Sequence, residues 1–224
     1  LGGAGDDTLV GGGEYSVQRG DGGHDEIFGG GQYSAQWGGD GNDLLVGGGQ
    51  WNVQSGDGGN DTLVGGGQNN IQLGGDGDDW LFGAGFGGWV DNQQYGGDGN
   101  DVLIGGAGTE TLTGGAGADV FRWEFADRGT AGTPQVDTVT DFSTAAASAG
   151  GDVLDLRDLL QGESLSSGSV GNLLNYIHFT TSGGNTVIQI SSTGGFASGF
   201  NAGAIDQTIV LQGVDLTNGG SLTV

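Results

Sequence analysis

A nine-residue phrase recurs seven times in frame through the first half of this chain, starting at Gly2, Gly20, Gly38, Gly56, Gly74, Gly96 and Gly114. In its clearest form, Gly38 to Val46, it reads Gly-Gly-Asp-Gly-Asn-Asp-Leu-Leu-Val. Six residues of glycine and acid followed by three β-formers describe a turn that feeds a short strand. A second, neutral phrase alternates with this acidic one and starts at Gly11, Gly29, Gly47, Gly65, Gly83 and Gly105. The repeating unit is therefore eighteen residues with two turns and two strands, one winding of a parallel β-roll.

Stacking such windings at about 4.8 Å places equivalent residues in columns along the roll. Asp7, Asp25, Asp43, Asp61, Asp79, Asp101 and Asp119, at the sixth place of the acidic phrase, form one column on one edge. Glycines let the turn point carbonyls inward beside each carboxylate. The predicted donor set adds the first-place residues Gly2, Gly20, Gly38, Gly56, Gly74, Gly96 and Gly114. It also adds the third-place residues Ala4, Gly22, Asp40, Gly58, Asp76, Asp98 and Ala116. Crowded hard oxygens of this kind suit Ca²⁺. Seven turns leave six gaps, so about six ions are expected along that edge. Asn42, Asn60 and Asn100, with Asp6 and Asp78, stand one place earlier and either tighten the loop or add oxygens.

Composition agrees with a metal-dependent fold. A quarter of the 224 residues are glycine, which without a fixed period would point to disorder. The 28 acidic residues face four arginines and no lysine, for a net charge of −24, which excludes a nucleic-acid partner and makes the metal-free chain repel itself. Cysteine is absent, so neither disulfides nor thiolate sites hold the fold, and Ca²⁺ is left to serve as the staple. No apolar run approaches the roughly 18 residues of a membrane span, and membrane insertion is not expected. Leu1 falls inside a repeat, so the chain reads as a piece of something longer.

The eighth place of the acidic phrase, Leu9, Ile27, Leu45, Leu63, Leu81, Leu103 and Phe121, reads as the core. The ninth, Val10, Phe28, Val46, Val64, Phe82 and Ile104, is also apolar, although alternation sends it outward. In the neutral phrase the most uniform column is Gln18, Gln36, Gln54 and Gln72, which can hydrogen-bond amide to amide; period two leaves open whether it is buried. Gln32, Ser34 and Gln36 are expected on one strand face, with Tyr15, Tyr33, Trp51 and Asn69 on the other beside Val17, Ala35, Val53 and Ile71. The phrase from Gly83 to Tyr95 is four residues longer and reads as a protruding loop carrying Phe86 and Trp89. In the last neutral phrase Glu110 takes the aspartate place and Leu112 the core place, which allows an ion on the second edge but gives it no matching neighbour.

After Arg122 the repeats stop, dividing the chain into a roll over 1–122 and a non-repetitive capping β domain over 123–224. Strands are expected at Val120 to Phe125, Val136 to Phe142, Asp152 to Leu156 and Gln207 to Leu211, with a hairpin from Ile177 to Ser191 and a helical turn at Leu173 to Tyr176. An open roll end exposes strand edges, so a cap is physically required. The tail aspartates Asp137, Asp141, Asp152 and Asp155 fit one more ion in the cap about as well as they fit plain Asx turns. The fold class is thus all-β, a parallel β-roll with Ca²⁺ along one edge and a C-terminal cap.

The acidic phrase resembles the Ca²⁺-binding nonapeptide Gly-Gly-x-Gly-x-Asp-x-U-x of the RTX (repeats-in-toxin) family, most closely at Gly2 to Val10, Gly38 to Val46, Gly74 to Phe82, Gly96 to Ile104 and Gly114 to Arg122. The tail segments Asp137-Thr-Val-Thr-Asp-Phe-Ser, Gly151-Asp-Val-Leu-Asp-Leu-Arg, Asn172-Leu-Leu-Asn-Tyr-Ile-His-Phe and Asp206-Gln-Thr-Ile-Val-Leu-Gln-Gly-Val look like the C-terminal domain of large RTX adhesins. The resemblance implies a secreted, extracellular protein of a Gram-negative bacterium, exported by the type I secretion machinery and folded by Ca²⁺ outside the cell. This chain departs from the family in lacking the aspartate phrase on its second edge at five of six places, so the expected roll is metallated on one edge.

Catalysis has little to stand on, because the two histidines, His24 and His178, sit in no zinc motif and the acids are spaced as a metal ladder. A glycan or cell-surface ligand is the alternative partner, carried by Tyr15, Tyr33, Trp37 and Trp51; an accessory roll of a secreted hydrolase or polysaccharide-modifying enzyme is the third reading.

Overall fold

The computed structural model describes residues 1–29, 31–83, 91–163 and 171–216. The chain winds back and forth between two parallel sheets, stepping eighteen residues per winding, as in the pairing of Gln36 with Gln18 and of Leu45 with Ile27. The short sheet carries places seven to nine of each acidic phrase: Thr8–Val10, Glu26–Phe28, Leu44–Val46, Thr62–Val64, Trp80–Phe82, Val102–Ile104 and Val120–Arg122, then Val153–Asp155. The long sheet carries places seven to nine of each neutral phrase and runs on into the next acidic turn: Val17–Gly22, Ala35–Asp40, Val53–Gly58, Ile71–Asp76, Gln93–Asp98 and Thr111–Ala116. The four-residue insertion is absorbed outside the pairing, since Gln94 pairs with Gln72 at a separation of 22. Phe86 and Trp89 lie outside the described residues.

Between the sheets, a column of aliphatic side chains faces a column of amides. Ile27, Leu45, Leu63, Leu81, Leu103 and Phe121 are fully buried, each worth about 1.5–3 kcal/mol of burial. Opposite them, Gln18, Gln36, Gln54, Gln72 and Gln94 are buried as well. From Gln36 onward each amide donates to the one before it, as from Gln54 Nε2 to Gln36 Oε1 at 2.9 Å and from Gln72 Nε2 to Gln54 Oε1 at 3.0 Å. Gln54 Nε2 also reaches the Leu45 and Val64 carbonyls across the interior at 3.1 and 3.2 Å. The glutamine column is therefore inside, where it ties the two sheets together. It ends at Gln94, whose Oε1 has no partner, and the same column continues as Leu112, Val139 and Leu211.

One expectation changes. Tyr15, Tyr33, Trp51 and Asn69 do not sit on a strand face: they occupy turns, at φ of 60°, 57°, 61° and 58°, and the long strands begin two residues later. The glycine-rich neutral phrase uses more of its length for turning than alternation suggested, so Gln32 and Tyr33 precede the strand. The ninth-place stripe faces outward as alternation predicts, mostly half-buried, with Val10 80 % exposed and only Ile104 buried.

Both sheets run on past Arg122. Gln135–Val139 pairs parallel with the strand from Thr111, Val153–Asp155 pairs parallel with the strand from Val120, and Gln207–Leu211 follows in the long sheet. The hairpin Ile177–Ser182 and Asn185–Ile190 adds antiparallel strands, turning at Gly183 and Gly184, both left-handed as a two-residue hairpin demands. The expected helical turn is a 3₁₀ turn over Leu173–Asn175. One hydrophobic cluster extends from Ile27 through Phe121, Trp123 and Leu154 to Leu211.

Candidate metal centre

Every acidic turn repeats one backbone arrangement. Its second and fourth places are left-handed, as at Gly39 (117°) and Gly41 (128°), with Asp21 and Asp57 substituting at the second place in two windings. The first place has no room for a side chain. A Cβ on Gly20, Gly38, Gly56, Gly74 or Gly96 would lie closer than 3.0 Å both to Oδ2 of the aspartate in its own turn and to the carbonyl of the first glycine of the next turn. The carboxylate oxygen and the neighbouring carbonyl thus converge on one small cradle per gap.

The carboxylates are held by a ladder. Asp25 Oδ1 accepts the Asp7 N–H at 2.8 Å, and the relation repeats from Asp43 to Asp25, Asp61 to Asp43, Asp79 to Asp61, Asp101 to Asp79 and Asp119 to Asp101 at 2.7–2.9 Å. Oδ2 of Asp25, Asp43, Asp61, Asp79, Asp101 and Asp119 is buried with no hydrogen-bond partner. Those six carboxylates are at most 3 % exposed. Burial is the main force pushing Asp61 and Asp79 up to about 7 and Asp101 and Asp119 up to about 6; the N–H bond opposes it and the neighbouring aspartates add to it. Asp43 rises for the same reason. A stack of buried anions with one free oxygen each is unfavourable unless a positive charge enters it.

The third-place carbonyls lie beside the same gaps. Gly22, Asp40, Gly58, Asp76, Asp98 and Ala116 each accept one N–H from the fourth place of the winding below, which leaves a second lone pair. Ala4, at the open end of the long sheet, pairs with Gly22. First-place Gly2 and Gly114 complete the column, Gly2 beside Asp7 and the Gly20 carbonyl, Gly114 beside Asp119 alone. Among the described residues no three side chains of His, Cys, Asp or Glu converge on one point, so a bound ion draws its further donors from backbone carbonyls. Orphaned carboxylate oxygens, inward carbonyls and an all-oxygen donor set fit a hard divalent cation of the Ca²⁺ type.

The fifth-place residues tighten the turn instead. Asp6, Asn42, Asn60, Asp78 and Asn100 each accept a backbone N–H of the adjoining winding at 2.7–3.1 Å, and His24 takes the same role through Nδ1. The ladder also has a member that the sequence did not disclose. Asp152 Oδ1 accepts the Asp119 N–H at 3.1 Å, but its Oδ2 accepts the Ser143 N–H, so it closes the column. Asp141 accepts from Gly114 and Gly115, and Asp155 is paired with Arg157, which lowers it below the usual carboxylate range.

On the second edge, neutral groups take the aspartate place. Ser34 donates its N–H to Asn52 Oδ1, Asn52 to Asn70 and Asn70 to Asn92. Asn92 Nδ2 then donates to the Gly83 carbonyl at 2.9 Å, so an amide proton meets there the kind of carbonyl that a cation would meet on the first edge. Tyr15 and Tyr33 stack face to face at 5.2 Å, each giving one ring face to the other while both side chains stay exposed.

The RTX calcium-binding nonapeptide repeat matches this chain in four copies, over residues 1–33, 37–53, 55–90 and 86–121. Among curated proteins nothing matches. Among solved structures, the chain is similar to the R3 subunit of the AlgE6 mannuronan C5-epimerase of Azotobacter vinelandii, with 25% identity over 73% of this chain and 75% of that one, at a TM-score of 0.37. Repeats of that family description cover just over half of the sequence and coincide with the windings whose cradles bear the orphaned oxygens; this chain belongs to the RTX family of calcium-binding nonapeptide repeats.

Proposed function

We propose that this calcium-binding β-roll is a non-enzymatic module at the C-terminal end of a type I-secreted adhesin of a Gram-negative bacterium. On this reading Ca²⁺ acts as the folding trigger outside the cell. The observation that carries it is the row of six buried aspartates, each with one unpartnered oxygen. Where Ca²⁺ is scarce these charges repel and the chain stays open, which suits passage through a narrow export channel. At millimolar Ca²⁺ six ions would neutralise about twelve charges, and binding becomes folding free energy. The likeness of the tail to adhesin C-terminal domains supports the assignment to that class and to the type I secretion machinery as partner. His24 lies in the turn ladder and His178 packs on Phe200 at 4.2 Å, contacts that give both histidines a structural role.

Circular dichroism during a Ca²⁺ titration tests the proposal. Ordered β signal should grow with Ca²⁺ and vanish on chelation; a spectrum indifferent to excess chelator rules out calcium-driven folding. A glycan- or surface-binding role for Tyr15, Tyr33, Trp37 and Trp51 is the second reading, supported by the exposure of Tyr15, Tyr33 and Trp51, although Tyr15 and Tyr33 already give one ring face each to their mutual stack.

A further inference from the structure

Glu110 is the least compensated group in the described chain. It is 0 % exposed, and neither of its carboxylate oxygens has a hydrogen-bond partner. Its turn also departs from the other neutral turns. Gly106 and Gly108, at the second and fourth places, have φ of 95° and 141°, which is the conformation of the acidic turns. The earlier neutral turns are instead left-handed at the fifth place, at Tyr15, Tyr33, Trp51 and Asn69. Among the described neutral turns, only this one has the metal-type conformation, on an edge that elsewhere uses serine and asparagine.

The matching neighbour missing from the sequence is supplied by the tail. The Glu110 N–H donates to Asp137 Oδ1 at 2.9 Å, the relation that links successive aspartates on the first edge. Asp137 is 1 % exposed, and its Oδ2 is held by Trp123 Nε1 at 2.6 Å and Gln207 Nε2 at 2.7 Å. The two carboxyl groups lie within hydrogen-bonding reach of each other, two acceptors with no donor between them. The other charges acting on Glu110, Asp127 and Asp91, are also negative.

We propose that Glu110 and Asp137 hold a divalent cation of the calcium type on the second edge of the roll, at the seam between the repeats and the tail. A shared proton would leave one buried negative charge in a field of further carboxylates, whereas a dication neutralises the pair. Burial first, then the Asp137 charge, pushes the Glu110 carboxyl up to about 11 when no cation is present. Because Asp137 is pinned by Trp123 and by Gln207, 70 residues further along, an ion here couples closure of the tail to the same metal that orders the roll.

This inference rests on the calcium-binding reading of the first edge, and the test separates the two. Calcium bound by the full chain and by Glu110→Gln is counted by native mass spectrometry, and crystals grown in calcium are examined for anomalous density beside Glu110. One ion fewer in Glu110→Gln, with density beside Glu110 in the parent, is the expected result. An unchanged count, or a parent crystal with ions along the aspartate column and none beside Glu110, overturns the second-edge site and leaves the first edge standing. A protonated-carboxyl infrared band persisting in the parent at saturating calcium and absent from Glu110→Gln likewise overturns it in favour of a shared proton. No ions on either edge defeats both readings. The parent crystal decides the matter if Glu110→Gln fails to fold.

Discussion

Asp61 Oδ1 accepts the backbone N–H of Asp43 at 2.7 Å, while Oδ2 of the same buried carboxylate has no partner. One oxygen builds the fold and the other waits for a ligand. Asparagine at the equivalent place of the second edge, as at Asn52 and Asn70, keeps the first role without the charge. The two edges therefore differ in chemistry while sharing a backbone step.

That comparison makes Asp61→Asn informative. The amide oxygen can still accept the Asp43 N–H, so the winding survives, but the gap loses its anionic donor. One calcium fewer is expected by native mass spectrometry. The metal-free form should gain about 1–3 kcal/mol at pH 7 through removal of an uncompensated buried charge, while the calcium-saturated form should melt lower than the parent.

Acid should partly replace calcium. Asp61, Asp79, Asp101 and Asp119 rise from the ordinary aspartate value of 3.8 to between about 6 and about 7 on folding, so the folded chain binds protons more tightly than the unfolded one. Their contribution to stability is then complete below about pH 4 and is lost as pH climbs through 6 and 7. In chelator, β content by circular dichroism should increase from pH 7.5 to pH 5. Calcium affinity should fall over the same interval, because protons compete for the same oxygens. A metal-free spectrum that does not change across this range would show that burial does not raise these carboxyls.

Gly56 and Gly12 offer a steric contrast. A Cβ at Gly56 meets Asp61 Oδ2 and the Gly74 carbonyl closer than 3.0 Å, whereas one at Gly12 meets nothing within 4 Å. Gly56→Ala should weaken calcium binding and cost about 1–3 kcal/mol in the holo protein; Gly12→Ala should stay within about 0.5 kcal/mol of the parent. Chemical denaturation in saturating calcium measures both.

The interior amides allow a similar test. Gln54 both donates to Gln36 Oε1 and accepts from Gln72 Nε2, and it bridges two carbonyls of the short sheet. Gln94 only donates, and its unpaired Oε1 is already a liability next to Leu112. Gln54→Leu should destabilise by about 1–3 kcal/mol, with Gln94→Leu costing about 1 kcal/mol less. Equal losses in thermal melts would show that the amide ladder is not a continuous stabilising element.

How far the sequence could be read follows from where its period holds. An eighteen-residue step, seven aspartates in frame and a column of Leu and Ile are sufficient to specify the windings, the acidic edge and the aliphatic half of the core, because each coil stacks on a copy of itself. The same pattern was silent on the glutamine column, since alternation marks two faces without saying which one meets the other sheet. Its burial was settled by Gln54 reaching the Leu45 and Val64 carbonyls across the roll. Alternation also misplaced Tyr15, Tyr33 and Trp51, because glycine on their N-terminal side lets the chain turn for longer than a strand-based count allows.

Past Arg122 the separation changes to 27 residues for Glu110 and Asp137 and to 33 for Asp119 and Asp152, so no fixed period identifies these partners. The sequence by itself determined a stacked, metal-seeking roll, since identical neighbours at a constant step leave one way to align. Only the tertiary structure decided which tail carboxylates extend its two edges, because loops of unequal length can return a strand to the same column and only the packed sheets record that they did.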